Sequence, residues 1–258
     1  MRLMKRILSA AAVLALSASL LVGCSSGTAS SVPVSASSAA ESTVSSVEET
    51  ASSAVDENEA AAAQLLNDLT GSYQELWPVI LADEYKQTWL DDCTALVGED
   101  NAEAAFEKLS SMVTGDVYGE DAVKAYANGG GAYFCGFTNS LAILTFDGET
   151  STISGTDKDG NVLFSHTYHY IGMEPVHGLY EFESDDADSG EFTYFFLAPD
   201  TSAETYHIEF RYGSDADALS QYDAGDYAYW LASGISTDCD QTMIDNCIEL
   251  FCTENLAG

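Results

Sequence analysis

The stretch NVLFSHTYHYI, residues 161–171, alternates polar side chains with aromatic or branched ones and is bounded by turn signals at Asp157–Asn161 and Gly172. Alternation with a period of two predicts a β-strand with one buried face. Similar segments precede and follow it, separated by further turn signals. They lie near residues 132–137, 141–146, 150–155, 178–184, 191–198 and 205–212. Consecutive short strands of this kind predict an antiparallel meander that closes into a barrel or a sandwich.

Helical patterns flank these strands. Residues 61–68 are rich in Ala and Leu, and Ala102, Phe106 and Leu109 recur at helical spacing. A second apolar stripe predicts a helix from about Asp240 to Glu254. No repeat or second linker interrupts residues 60–258, which we therefore interpret as one domain. The predicted fold class is mainly β with added helices (α+β), with helices at both ends of the strands.

The amino terminus predicts export and lipid anchoring. Three cationic residues precede an apolar run at residues 7–22, and the run ends in Gly23-Cys24. This pattern is typical of a secretory signal peptide, here residues 1–23, and Cys24 after the cleavage point resembles the bacterial lipobox. The alternative is an ordinary secreted protein with an incidental cysteine. Residues 24–59 are Ser- and Ala-rich, which predicts a disordered tether. We expect a protein anchored through Cys24 to the extracellular face of the cell membrane.

The charge of the chain excludes several partners. It has 8 Lys and Arg against 42 Asp and Glu, a formal net charge of −34. So negative a surface repels nucleic acid and anionic lipid headgroups, so we expect membrane contact through the acyl chains alone. Cations are concentrated near such a surface. Solubility outside the cell accounts for the acidity equally well.

Five cysteines follow Cys24, an odd number, and none forms a CxxC motif. The sequence therefore supports neither a zinc knuckle nor a thioredoxin-type site, and it leaves disulfide pairing open. Neither GxSxG nor HExxH occurs, so no catalytic nucleophile is indicated and we do not expect an enzyme.

Histidines occur only between residues 166 and 207, at His166, His169, His177 and His207. In the segment HIE, His207 and Glu209 are two residues apart and would project from the same face of a strand. Imidazole nitrogen and carboxylate oxygen are both ligands that zinc accepts. An isolated HxE pair is weak evidence for a metal site, so the interpretation depends on the sequence around it.

Those neighbours resemble the ZinT family of zinc-binding domains. The segment LNDLTGSYQELWP at 66–78 is similar to the family's opening L-x-D-W-x-G-x-W-Q-S-x-Y-P, and YHYIG at 168–172 to its Y-x-Y-x-G. The segment YEFE at 180–183 resembles a further family strand. HIEFRYG at 207–213, followed by Ser214-Asp215, is similar to H-F-H-I-x-x-G-N-D, and YAYW at 227–230 stands near W-P-T-Y-Y-P.

The resemblance implies a calycin, lipocalin-like barrel with added helices that binds zinc through three histidines near one barrel mouth. It places the family's H-x-H on His207 and Glu209. The third family histidine falls near residues 198–200, where this chain has none. Asp200, His177 or His169 would then supply the missing ligand, or the site has decayed. Such a site would be harder in character than three imidazoles and would admit Mn or Ca more readily.

Two functions follow from this sequence. The first is a surface lipoprotein that captures a divalent metal ion, zinc above others, and keeps it or delivers it to a metal ABC transporter. The second is a calycin-type lipoprotein with a degenerate metal site that binds a small ligand or a protein partner.

Overall fold

The computed structural model describes residues 57–257. The predicted signal peptide, the lipidation site at Cys24 and the tether up to residue 56 lie outside the described residues. Within them, no helix combines the length and the apolar character that crossing a bilayer requires. Residues 57–59, which the sequence assigned to the tether, belong to the first helix. The Ala- and Leu-rich residues that follow extend this helix to residue 68, so helical structure is present three residues before the predicted domain boundary at residue 60.

Eight antiparallel strands form a closed barrel in which each strand pairs with its neighbours in sequence and the first pairs with the last. Closure depends on β1 and β8, with Tyr73 opposite Ser236 and Glu75 opposite Gly234. The fold class predicted from the sequence is therefore confirmed. The strands are β1 Gly71–Glu75, β2 Ile143–Asp147, β3 Thr152–Thr156, β4 Val162–Met173, β5 Tyr180–Ser184, β6 Tyr194–Leu197, β7 Ile208–Gly213 and β8 Ala232–Ser236.

Helices occupy both ends of the described chain, the long connection between β1 and β2, and two short connections of the barrel. The helices are α1 at 57–68, α2 Leu76–Ile80, α3 Lys86–Val97, α4 Glu99–Ser111, α5 Glu120–Ala127, α6 Ser202–Thr205, α7 Ala216–Leu219 and α8 Gln241–Leu256. The carboxylate of Asp240 accepts a hydrogen bond from Met243 N at 2.9 Å and so caps the start of α8. The predicted carboxy-terminal helix is thus confirmed.

Aromatic side chains fill the barrel. Phe195, Phe210 and Tyr212 are fully buried and come from neighbouring strands. The ring centroids of Phe195 and Tyr212 are 5.3 Å apart, and those of Tyr212 and Trp230 are 4.9 Å apart. Rings of this size bury large apolar areas, and offset or edge contacts between them add to the stability of the core. Because Phe210 and Tyr212 point inward, the alternate residues of β7 point out of the barrel.

The carboxy-terminal helix covers the outward side of β7 at the start of the strand. Phe251 of α8 packs edge-on against Trp77 of α2 and Trp89 of α3, with ring centroids 4.9 and 5.9 Å apart. These contacts fix α8 against the helical layer, and the face that carries Cys247 lies over the start of β7. The barrel and the helices thus enclose a narrow space between β7 and α8.

Six of the seven predicted strands are present. The prediction of a strand at residues 132–137 is wrong, because Phe134 forms only isolated bridges, to Thr114 and to Trp230. Two strands, β1 and β8, were not predicted. Each is five residues long, and β1 is followed at once by helix α2, so its alternation is too short to stand out from the helical surroundings.

Candidate metal centre

His207 and Glu209 form a buried pair on the outward side of β7. His207 immediately precedes the strand and Glu209 is its second residue. Their side chains are 7% and 8% exposed, and His207 Nε2 lies 3.8 Å from Glu209 Oε1. The prediction that the two side chains project together is confirmed by this distance.

The His207 ring is held in one orientation by the backbone. Its Nδ1 lies 2.7 Å from the carbonyl oxygen of Thr205, and because a carbonyl only accepts, Nδ1 is the donor. The sulfur of Cys247 lies 3.8 Å from the same nitrogen. Nε2 is therefore the ring nitrogen that faces Glu209. A backbone carbonyl that fixes the tautomer in this way is the usual support of a metal-binding histidine.

A short turn brings the chain to this orientation. Thr201 and Glu204 form a capping box around α6, in which Thr201 N donates to Glu204 Oε2 at 3.1 Å. Tyr206 then adopts a left-handed φ of 65°. A non-glycine residue in this region marks a sharp reversal, and here the reversal directs His207 into the start of β7.

The environment favours a proton on His207. Burial lowers the pKa of His207, but interactions with Cys247 and Glu209 raise it and outweigh burial, so that this pKa stands well above its usual range. A metal ion bound at Nε2 would therefore have to compete with protonation of the ring.

Two more carboxylates line the same cleft. Asp200 follows β6, and Glu254 lies near the end of α8. The space within the cleft is about 10 Å³, which is close to the minimum that can hold one water molecule. Its other lining residues are Ala198, Thr205 and Leu250. The cleft lies between the start of β7 and α8, outside the aromatic interior of the barrel.

The arrangement of the donors in the cleft approaches that of a metal site but does not complete one. Among residues 57–257, no three His, Cys, Asp or Glu side chains converge tightly enough to hold a metal ion. His207 and Glu209 fit two positions of a zinc site, and a third donor would have to move inward from the wall of the cleft. Asp200 is one of the residues that the sequence analysis named as a possible third ligand, and it lies on that wall.

Glu254 was missed by the sequence analysis. It lies seven residues after Cys247 and four after Leu250, so all three share one face of α8. That spacing could be read from the sequence, but the strand that this face of α8 covers could not.

The other histidines lie elsewhere, which corrects the prediction that His169 or His177 completes the set around His207. His169 is 53% exposed, and its Nδ1 lies 2.7 Å from Asp185 Oδ1. His177 Nδ1 lies 3.3 Å from the buried carboxylate of Glu174. Neither lines the cleft. Each has its own carboxylate partner, because β4 and the turn that follows it carry both residues away from the cleft.

Arg211 continues the outward row of β7 and is fully buried. Its guanidinium donates to the carbonyl oxygens of Leu219, Gln221 and Tyr227. It also lies 4.2 Å from the ring centroid of Tyr222, a cation–π contact. The arginine of the HIEFRYG segment therefore fastens the loop at 219–227 to the barrel.

Comparisons with known proteins yield structural matches only. No protein-family model and no curated protein sequence matches the chain. The Zn(II)-bound ZinT-like domain of Streptococcus pneumoniae AdcA matches with a TM-score of 0.46 and 15% identity, covering 72% of this chain and 89% of that domain. Zn(II)-bound AdcA from the same organism matches with a TM-score of 0.41 and 16% identity, over 70% of this chain. The match covers 34% of AdcA, so the chain spans about a third of its length.

Proposed function

We propose that this domain binds a divalent metal ion, zinc, in the cleft between β7 and α8. One observation carries the proposal: His207 Nε2 faces Glu209 Oε1 across 3.8 Å in a buried cleft, while Nδ1 is held by the Thr205 carbonyl. The proposed role is coordination without turnover. Anchored through Cys24 to the extracellular face of the membrane, the domain would capture the ion and deliver it to a metal ABC transporter.

The separation of the pair suits zinc. Zinc takes imidazole nitrogen and carboxylate oxygen at about 2.0–2.2 Å with tetrahedral geometry, so two such donors lie about 3.4 Å apart. The observed distance of 3.8 Å differs from this by a few tenths of an ångström. A small change in a side-chain torsion would bring the pair to the ideal separation, with no change to β7.

The remaining donors would come from the cleft wall. Asp200 and Glu254 both line the cleft, and either carboxylate could approach an ion held by His207 and Glu209. Donors of this kind favour a cation, and carboxylates admit harder ions such as Mn²⁺ or Ca²⁺ beside zinc. We therefore expect weaker discrimination between zinc and these ions than a site of three imidazoles would show.

A zinc titration tests the proposal. The full chain is stripped with a chelator and dialysed, and zinc is added while bound metal and melting temperature are measured. Binding to the native state alone stabilises by about 2.7 kcal/mol at a zinc concentration 100 times Kd. For a domain of this size that corresponds to a rise of about 5–10 °C, which a chelator should reverse. A chain that retains no zinc at micromolar concentrations, with an unchanged melting temperature, would contradict the proposal.

A second cavity favours the alternative function, the binding of a small ligand. It is an open groove beside α2, outside the ring-filled barrel, and its space of about 330 Å³ is within the range of small-molecule sites. Trp77, Val113 and Phe134 give it apolar walls, and Glu75 is its carboxylate. Occupancy of this cavity would not depend on His207, so a His207 variant separates the two functions.

A further inference from the structure

Two buried cysteines on different helices are in contact. Cys93 on α3 and Cys252 on α8 are 159 residues apart, and their sulfur atoms are separated by 3.9 Å. Both side chains are fully buried. The two helices are held together beside them by the edge contact between Trp89 and Phe251. The fold therefore brings two thiols to van der Waals distance on a rigid support.

We propose that Cys93 and Cys252 form a disulfide bond when the chain folds in an oxidising compartment. A disulfide has an S–S distance of about 2.05 Å, so the sulfur atoms must approach by about 1.9 Å. We expect rotation of the two side chains to supply that movement without separating the helices. The proposal does not depend on metal binding by the cleft.

The reaction is an ordinary thiol–disulfide exchange. The thiolate of one cysteine attacks the disulfide of an oxidant, such as oxidised glutathione, and releases one thiolate as a mixed disulfide forms. The second cysteine, as its thiolate, then attacks the protein sulfur of that mixed disulfide and releases the other thiolate. Two protein thiols lose two protons and two electrons, and the oxidant disulfide becomes two thiols.

Burial decides when the bond can form. Burial raises the pKa of the Cys93 thiol and of the Cys252 thiol. The attacking thiolate is therefore scarce in the folded chain. Oxidants also cannot reach side chains that are fully buried. The bond should therefore form during folding and resist reductants afterwards.

The contact selects one pair among the five cysteines of the described residues. Cys247 lies instead beside the His207 ring, with its sulfur 3.8 Å from Nδ1. Cys135 is buried in a segment that contacts β8, where its carbonyl oxygen accepts a hydrogen bond from Ser233 N at 3.1 Å. One bond between Cys93 and Cys252 would therefore leave three thiols free, at Cys135, Cys239 and Cys247.

Refolding in a redox buffer tests the proposal. The full chain carrying Cys24→Ser is unfolded, refolded with reduced and oxidised glutathione, alkylated and digested for mass spectrometry. We expect a peptide pair joined through Cys93 and Cys252, and a melting temperature about 5–15 °C above that of the reduced chain. The matched control, Cys239→Ala, should keep both the joined peptides and the rise.

Peptide mapping of the Cys24→Ser chain, which keeps the other five cysteines, tests the proposed bond even if a variant in the core folds poorly. Alkylation of both Cys93 and Cys252 after oxidative refolding would overturn the proposal, and so would a bond that joins either of them to a different cysteine. Cys93→Ala should abolish the joined peptides and the rise in melting temperature together. A rise that persists in Cys93→Ala would also contradict the proposal.

Discussion

Replacing His207 with alanine should lower the zinc affinity of the chain by about 100-fold or more. Loss of a group that merely supports a ligand costs about 10–100-fold, and loss of the ligand itself should cost at least as much. His207 Nε2 faces Glu209 at 3.8 Å, so the variant would leave one of the two preformed donors. A competition titration against a chromogenic chelator measures the change.

His169→Ala is the matched control for this prediction. It removes an imidazole that is 53% exposed and bonded to Asp185 outside the cleft, so the affinity should change by less than about twofold. Equal losses in the two variants, or no loss in His207→Ala, would contradict the assignment. Asp200→Asn and Glu254→Gln then identify the third donor, because the variant that removes it should show the larger loss.

Replacing Arg211 with alanine should lower the free energy of unfolding by about 3–5 kcal/mol, because each buried carbonyl left without its donor costs about 1–3 kcal/mol. The guanidinium is fully buried and donates to the carbonyl oxygens of Leu219, Gln221 and Tyr227. Its loss would leave these acceptors without their donor and would remove the contact with the Tyr222 ring. Chemical denaturation followed by tryptophan fluorescence measures the effect.

Lys124→Ala is the control for the loss of a positive charge without the loss of a buried side chain. Lys124 pairs with Glu120 and Asp121 on the surface of α5, and its side chain is 65% exposed. Exposed pairs of this kind contribute little, so the variant should lie within about 0.5 kcal/mol of the parent chain. If Arg211→Ala were as mild as Lys124→Ala, the loop at 219–227 would not depend on the buried guanidinium.

The sequence predicted the middle of the barrel well and its closure poorly. Residues 162–173 form one long strand with a regular alternation, and the turn signals on both sides separate it from its neighbours. The strands that close the barrel carry a weaker pattern. The segment ASGIS of β8 is mostly small residues, and its pairing with β1 joins segments about 160 residues apart in the chain. Local pattern cannot report such a pairing.

The candidate site was also predictable only in part, because one of its features is local in the sequence and the other depends on tertiary packing. The spacing of His207 and Glu209 is local, and strand geometry placed both side chains on one face. The cleft is a tertiary feature, because Glu254 reaches it only when α8 packs over β7. His169 and His177 were plausible by residue type, yet the paths of β4 and its turn carry them away from the pair.

Crystallography with anomalous scattering at the zinc absorption edge tests the central claim most directly. For crystals of the full chain grown with zinc, we expect an anomalous peak in the cleft between β7 and α8, about 2.1 Å from His207 Nε2 and from a carboxylate oxygen of Glu209. A peak bound instead at His169 and Asp185, or a cleft without anomalous signal at saturating zinc, would contradict the account.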